Sequence, residues 1–346
     1  PISVILITAF GDAELAVNAI KKGATDFILK PWDNHKLLAT LFSALKLSQT
    51  KRKLSELEQK QKVINEDLTV PHKTIVGHSD SLMRVMRMVR KVAKTDANVL
   101  ITGENGTGKE LIAQELHRLS IRSEKSMVGL DIGSISESLF EDELFGHKKG
   151  AFTDAFDDRI GKIETAHGGT LFLDEIGNLS LPLQAKLLSV IENRQVVRVG
   201  SNKVRSVDIR LICATNKDLT TLVKEGSFRE DLLYRINTII IEAPPLRDRG
   251  EDVLLLANFY LNKFSKKYNK GKITIHERAL EDLMQYHWPG NIRELLHTME
   301  KAVILAESKI IQPDDLFLKV SQSIYMENPR TLDEMEQVLV RKAVDR

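Results

Sequence analysis

The sequence predicts an α/β fold, a parallel sheet flanked by helices, with a small helical region after it. Three observations predict it. An apolar run with a β-branched bias, Asn98-Val-Leu-Ile-Thr102, leads into the glycine loop Gly103-Glu-Asn-Gly-Thr-Gly-Lys109-Glu110, and Leu111 to Arg118 follows with apolar residues at helical spacing. A second apolar run, Gly168-Gly-Thr-Leu-Phe-Leu-Asp174-Glu175, ends in two adjacent carboxylates. Beyond Pro244-Pro245, residues 250–318 read as helices only, with turns at Gly271 and Pro289-Gly290.

Taken from the N-terminus, residues 1–45 form a small α/β piece. Ile2 to Thr8 is a strand, Asp12 to Lys22 a helix stopped by Gly23, Thr25 to Lys30 a second strand broken by Pro31, and a further helix starts near Asn34. Residues 46–70 are polar and helical. Leu47, Leu54, Leu57, Ile64 and Leu68 fall near heptad a and d positions, with Thr50 and Gln61 in the other two. A solvated connecting helix and a dimerising coiled-coil linker both fit this short seam, which Pro71 closes. Residues 71–245 are the larger α/β domain. It opens with Ile75-Val76-Gly77 and a helix carrying Leu82, Val85, Met86, Val89 and Val92 on one face, its methionines read as core filler.

Composition narrows the classes. With 346 residues the chain has room for two or three domains. Its 50 basic and 48 acidic residues nearly cancel, so no global polycation argues for nucleic acid. Cys213 stands alone in an apolar run, which excludes a disulfide and suits a reducing cytoplasm. No apolar run approaches the roughly 18 residues of a membrane span, and no signal peptide is visible. The chain opens directly in a strand at Pro1, which reads as a fragment of a longer protein.

The glycine loop has the chemistry of a phosphate cradle. Gly103, Gly106 and Gly108 let the backbone turn tightly and present N–H groups, the following helix points its positive end the same way, and Lys109 adds a charge for β- and γ-phosphates. A glycine turn that binds nothing is the alternative, and the flanking strand and helix argue against it. Glu110 stands where most such loops have Ser or Thr. Asp174, at a strand end downstream, suits Mg²⁺, and Glu175 suits polarising an attacking water. Val207 to Thr215 is another buried strand, leaving Asn216 where a γ-phosphate sensor would sit. Arg229 and Arg235 lie six apart, either solvated surface or charges that reach a neighbour's phosphate. The block Glu143-Leu-Phe-Gly-His-Lys-Lys-Gly150-Ala-Phe-Thr-Asp-Ala155 has an apolar tip in a polar chain, a contact surface or a loop folded onto the core.

These motifs in this order resemble the central AAA+ domain of bacterial enhancer-binding proteins, the activators of sigma-54 RNA polymerase, over residues 74–318. The match rests on the Gly103–Glu110 loop with its terminal glutamate, Glu143-Leu-Phe-Gly-His147, Gly150-Ala-Phe-Thr-Asp-Ala155, Gly168 to Glu175, Phe228-Arg229, Tyr234-Arg235, Pro244-Pro-Leu-Arg-Asp-Arg249 and Trp288-Pro-Gly-Asn-Ile-Arg293. The resemblance implies an AAA+ P-loop ATPase with a helical lid over residues 246–318. ATP would lie on Gly103, Glu104, Asn105, Gly106, Thr107, Gly108, Lys109 and Glu110, with its base near Ile75, Val76 and Gly77. Mg²⁺ would be held through Asp174. Asn216 and Arg293 would sense the nucleotide, and Arg229 and Arg235 would complete a neighbour's site in a hexamer-like ring. Gly150, Ala151, Phe152, Thr153, Asp154 and Ala155 would contact sigma-54 RNA polymerase.

Thr8-Ala9, Gly23-Ala24 and Phe27-Ile-Leu-Lys30-Pro31 resemble the last part of a flavodoxin-like response-regulator receiver. That implies a cognate histidine kinase, with the phospho-accepting aspartate before Pro1. Residues 319–346 are a linker plus Thr331 to Ala343, which resembles the first helix of a Fis-like DNA-binding domain; DNA contact would belong to the remainder, beyond this chain. Three positions depart from the family pattern. Asp154 replaces a glycine of the contact loop, Asp131 replaces an asparagine that restrains the catalytic glutamate, and Lys148 replaces a glutamate. An aspartate near Glu175 would repel it unless one is protonated. Two other functions stay open on sequence: a DNA-occupancy regulator with a vestigial ATPase, and an AAA+ remodeller of another protein.

Overall fold

Three apolar runs become the middle of a parallel sheet because each sends alternate side chains into two different apolar layers. The computed structural model describes residues 4–8, 24–31, 33–35, 37–46, 75–134, 137–153 and 155–318. It divides into two units, Pro1–Lys73 and Thr74–Arg346. In the first, strand β1 (Ile5–Thr8) pairs in parallel with β2 (Asp26–Leu29), with Thr8 opposite Leu29. The register therefore brings Thr8 and Lys30 to the same end of this small sheet. Residues 34–35 and 37–46 are helical. The helix expected over Asp12–Lys22, the linker beyond Lys46 with Pro71, Asp154, and the helix expected over Thr331–Ala343 lie outside the described residues.

The second unit begins its helices with α1 (Asp80–Ala93), whose N-cap Ser79 accepts a hydrogen bond from the Leu82 amide. Its expected face is buried at Leu82, Val85, Met86, Val89 and Val92, whereas Met88 is exposed. The chain then runs through β3 (Val99–Thr102), α2 (Lys109–Arg118), β4 (Met127–Asp131), α3 (Glu137–Phe145) and the short antiparallel pair β5 (Gly146–His147) and β6 (Arg159–Ile160). After these come β7 (Thr170–Asp174), α4 (Leu181–Asn193), an unexpected hairpin of β8 (Gln195–Val197) and β9 (Val204–Ser206), β10 (Arg210–Thr215), α5 (Leu219–Lys224), α6 (Glu230–Ile236) and β11 (Ile239–Glu242).

Among the described residues, five strands form one parallel sheet in the order β11-β3-β10-β7-β4. Leu100, Leu171, Leu173, Leu211 and Cys213 face one layer with Phe140, Leu187 and Leu232. Val99, Ile101, Phe172, Ile212 and Ala214 face the other with Val89, Ile112 and Leu116. A sheet covered on both sides needs apolar side chains at every position, which is why these strands read as continuous runs. Each large aliphatic side chain buried this way contributes about 1.5–3 kcal/mol. Burial also pushes the Cys213 thiol well above its usual range, consistent with an inert core residue. β10 lies between β3 and β7, so the glycine loop leaves the sheet two strands from Asp174-Glu175 and one from Asn216.

The C-terminal part packs α7 (Asp252–Lys267), α8 (Glu277–Gln285) and α9 (Asn291–Leu305) around the fully buried Trp288. It is not helices only, as the sequence suggested. Thr274–Ile275 and Ile310–Ile311 pair as a small parallel sheet that ties the turn after α7 to the end of α9. Two-residue strands carry too few alternating positions to show a period. No helix among the described residues is long and apolar enough to cross a membrane.

Candidate active site

The Gly103–Glu110 loop links the C-terminal end of β3 to the start of α2, and its glycines are required by geometry. Gly103, Gly106 and Gly108 have φ of 144°, 78° and 96°. A Cβ at Gly103 would lie 2.7 Å from the Ala243 carbonyl oxygen, and one at Gly106 would lie 2.3 Å from that of Gly290. The Thr107 hydroxyl donates to the Glu104 carbonyl at 2.8 Å, closing the turn. Gly108 caps α2 with no side-chain hydrogen bond, which leaves the first amides of the helix to an anion. Lys109 is buried, and its Nζ donates to the carbonyls of Gly103 at 3.0 Å and Glu104 at 3.3 Å. Glu110 is exposed and accepts from Gln114 Nε2 one turn on, at 3.1 Å.

The same Lys109 Nζ lies 3.7 Å from Glu175 Oε1, so the loop and the carboxylate pair meet. Glu175 holds a left-handed backbone, φ 57°, which turns the chain out of β7 and carries its carboxylate toward Asn216, whose amide lies 3.5 Å from Oε2. Asp174 accepts from the Glu175 amide at 3.0 Å. Burial, then the neighbouring Glu175 charge, raises the Asp174 pKa above the ordinary aspartate value, and Asp131 adds to the effect. Asp131 stands opposite Asp174 in the β4–β7 register, and its Oδ1 accepts from its own Gly133 amide at 2.9 Å. Its charge therefore bears on Asp174. Among the described residues no three His, Cys, Asp or Glu side chains converge as a metal cage. A Mg²⁺ ion here would have to draw most of its ligands from phosphate oxygens and water, with Asp174 the protein carboxylate placed to join them.

Ile75 and Val76 line an apolar cleft with Gly108, Leu111, Tyr260 and Ile292, the right character for a base beside the loop. Gly77, φ 146°, sits so tightly that a Cβ would lie 2.4 Å from Asp252 Oδ2. That aspartate accepts from the His78 amide at 2.6 Å and the Ser79 hydroxyl at 2.6 Å. Arg293 begins α9 against the loop, its backbone nitrogen 3.3 Å from the place a Gly106 Cβ would take.

Sequence reading missed who holds this loop in place. Arg247 pairs with both oxygens of Glu104, at 3.0 and 2.5 Å, and buried Asn291 donates to Glu104 Oε2 and the Asn105 carbonyl, each at 3.0 Å. These bonds hold the Glu104 carboxyl down at about 2. Buried Arg249 donates to the Thr107 carbonyl at 2.8 Å. The family signatures around Leu246 and Trp288 contain these residues but do not say what they touch.

Arg229 and Arg235 are not brought to this loop. Arg229 caps α6 and pairs with Asp231, and Arg235 pairs with Glu192 at 3.0 Å. The Arg235 carbonyl accepts from Asn98 Nδ2 at 2.8 Å, which fixes it at the opposite end of β3 from Gly103. At roughly 3.3 Å per residue that is about 15 Å away.

The Gly150–Ala155 segment closes on itself between β5 and β6. The Gly150 amide donates to the Ala155 carbonyl at 2.8 Å, Ala151 to Lys148 at 3.0 Å, and Ala155 to Phe152 at 3.0 Å. Phe152 is 44% exposed, with its ring edge against His147 at 4.9 Å. Exposed Thr153 sits beside it, and Ala155 is buried. Lys148, the charge-reversed position, pairs with Asp158.

Residues 75–242 match the family described as "Sigma-54 interaction domain", and residues 247–331 the family described as "AAA+ ATPase lid domain". The chain is 44% identical over 321 residues to the regulatory protein AtoC of Escherichia coli, across 93% of this chain and 68% of that protein. It is 43% identical over 322 residues to the transcriptional regulatory protein ZraR of Escherichia coli, across 93% and 71%. Among solved structures, NtrX from Brucella abortus in complex with ADP superposes with a TM-score of 0.68 at 31% identity, covering 98% of this chain and 71% of that one.

Proposed function

The chain belongs to the sigma-54 interaction family of AAA+ ATPases, and from that premise we propose how its residues divide the work. It is an ATPase of transcription regulation. ATP lies on Gly103–Glu110 with its base against Ile75 and Val76. Lys109 exchanges the loop carbonyls for β- and γ-phosphate oxygens. Asp174 holds Mg²⁺, which when bound neutralises charge building on the phosphates. Glu175 orients the attacking water, and Asn216 and Arg293 register the state of the γ-phosphate. The observation that carries this reading is the meeting of Lys109 and Glu175 at 3.7 Å across the central strand.

Arg235 lies at the far end of β3 and Arg229 heads the same helix paired with Asp231, neither of them against the loop, so both serve a neighbour's site in a ring of identical subunits. Turnover per subunit should therefore rise with protein concentration. The exposed Phe152–Thr153 tip is the part that engages the sigma-54 polymerase, moved as hydrolysis proceeds. The register that sets Thr8 opposite Leu29, beside Lys30, supports a receiver reading of residues 1–45, hence input from a histidine kinase. A vestigial ATPase is disfavoured because the Lys109, Asp174 and Glu175 set is complete. The test is Lys109→Ala: ATP turnover should be lost, and full turnover in that variant would sink the assignment. Capture of sigma-54 with a transition-state mimic of ATP, compared with none, tests the partner.

A further inference from the structure

A carboxylate carried by a phosphate-binding loop is a like-charge liability, and Glu104 is the second residue of this one. Its neutralisation comes from far away in the chain. Arg247, 143 residues on, takes both oxygens, and Asn291, 187 residues on, donates to Oε2. The Asn291 amide cannot turn round, because its Oδ1 accepts from the Leu246 amide at 2.7 Å within a buried setting. Its backbone is left-handed, φ 51°, a conformation asparagine tolerates, and the next residue's amide donates to the Gly106 carbonyl at 2.9 Å. The lid side thus grips the loop by the Arg247 charge pair, the buried Asn291 amide, the buried Arg249 guanidinium on the Thr107 carbonyl and one backbone bond.

We propose that Arg247 is a positioning residue for nucleotide binding: with Asn291 it cancels the Glu104 charge and holds that carboxylate out of the cradle. Any motion of the lid that parts Arg247 from Glu104 returns an unpaired negative charge to the rim of the phosphate site. A docked lid then favours nucleotide, and by linkage nucleotide favours the docked lid by the same factor. Because the effect is electrostatic, it scales with the charge on the ligand: ATP feels it most, ADP less, AMP least.

This rests on the reading that ATP occupies Gly103–Glu110. The experiment measures dissociation constants for ATP, ADP and AMP in the chain as it stands, in Arg247→Ala, in Glu104→Gln and in the double variant. Arg247→Ala should weaken ATP by roughly tenfold, ADP by less and AMP by least. Glu104→Gln added to it should restore ATP affinity to within about twofold of the unsubstituted chain. Equal weakening of all three nucleotides, no weakening, or no recovery in the double variant overturns the proposal, since a structural role for Arg247 would not depend on ligand charge. Failure of the unsubstituted chain to bind ATP would instead remove the nucleotide reading beneath it.

Discussion

Two glycine loops in this molecule are built on opposite plans. The loop at Gly103–Glu110 is gripped from distant parts of the chain: Ala243 and Gly290 press on its glycines, Arg249 holds the Thr107 carbonyl, and Asn291 and Arg247 hold Glu104. The loop at Gly150–Ala155 is closed by its own backbone, with bonds that span three to five residues. A Cβ at Gly150 meets no described atom within 4 Å. The first is a cradle whose shape depends on residues from Ala243 to Asn291, far along the chain. The second carries its own closing bonds and is tied at its base, where Lys148 donates to the Val199 carbonyl at 3.0 Å and Ala151 lies close against Gly200. One loop positions charge, and the other presents an apolar tip.

The contrast can be broken by experiment, the largest effect first. Gly106→Ala should cut ATP binding by more than about a hundredfold, because a left-handed residue must also displace the Gly290 carbonyl. Retained binding would show that the cradle yields. Asn291→Ala should lower stability by about 1–3 kcal/mol, read in denaturant melts, since it strands the buried Leu246 amide and frees Glu104. Gly150→Ala should cost only about 1 kcal/mol and leave ATP affinity unchanged. A loss of affinity there would mean that the two loops share a structure.

Smaller effects sharpen the picture at the charges. The Glu104 carboxyl is held at about 2, below its ordinary 4.5, so its ion pair stabilises fully above pH 4.5 and fades as pH falls toward 2. The gap in Tm between the unsubstituted chain and Glu104→Gln should therefore shrink on acidification, and shrink further in salt. A gap that widens would refute the pairing. Asp131→Asn should lower the Asp174 pKa in the metal-free protein, because one of the charges raising it is removed; carboxyl NMR titration reads this directly.

Much of this was legible in the residues. The strand before Gly103, the helix after it, and the carboxylate pair at the end of β7 are each written in contiguous residues, because strand burial, glycine conformations and helix periodicity act over a few positions. The strands over Thr274–Ile275 and Ile310–Ile311 were not legible, nor was the hairpin from Gln195 to Ser206. Their pairing partners are remote or their runs too short for a pattern. The β4–β7 register sets Asp131 level with Asp174, one residue before the Glu175 it was expected to face.

The sequence by itself determined that a glycine loop between strand and helix, an adjacent carboxylate pair at a strand end and a loop with an apolar tip exist in this chain, since each is local chemistry at fixed spacing. Only the tertiary structure decided that β10 separates the cradle from Asp174, that Arg235 stands at the wrong end of β3 for its own site, and that Glu104 is answered by Arg247 and Asn291. Those are matters of strand order and of how the helical region docks. They are set by the burial of two apolar layers and the Trp288 core acting together, and no spacing along the chain encodes them.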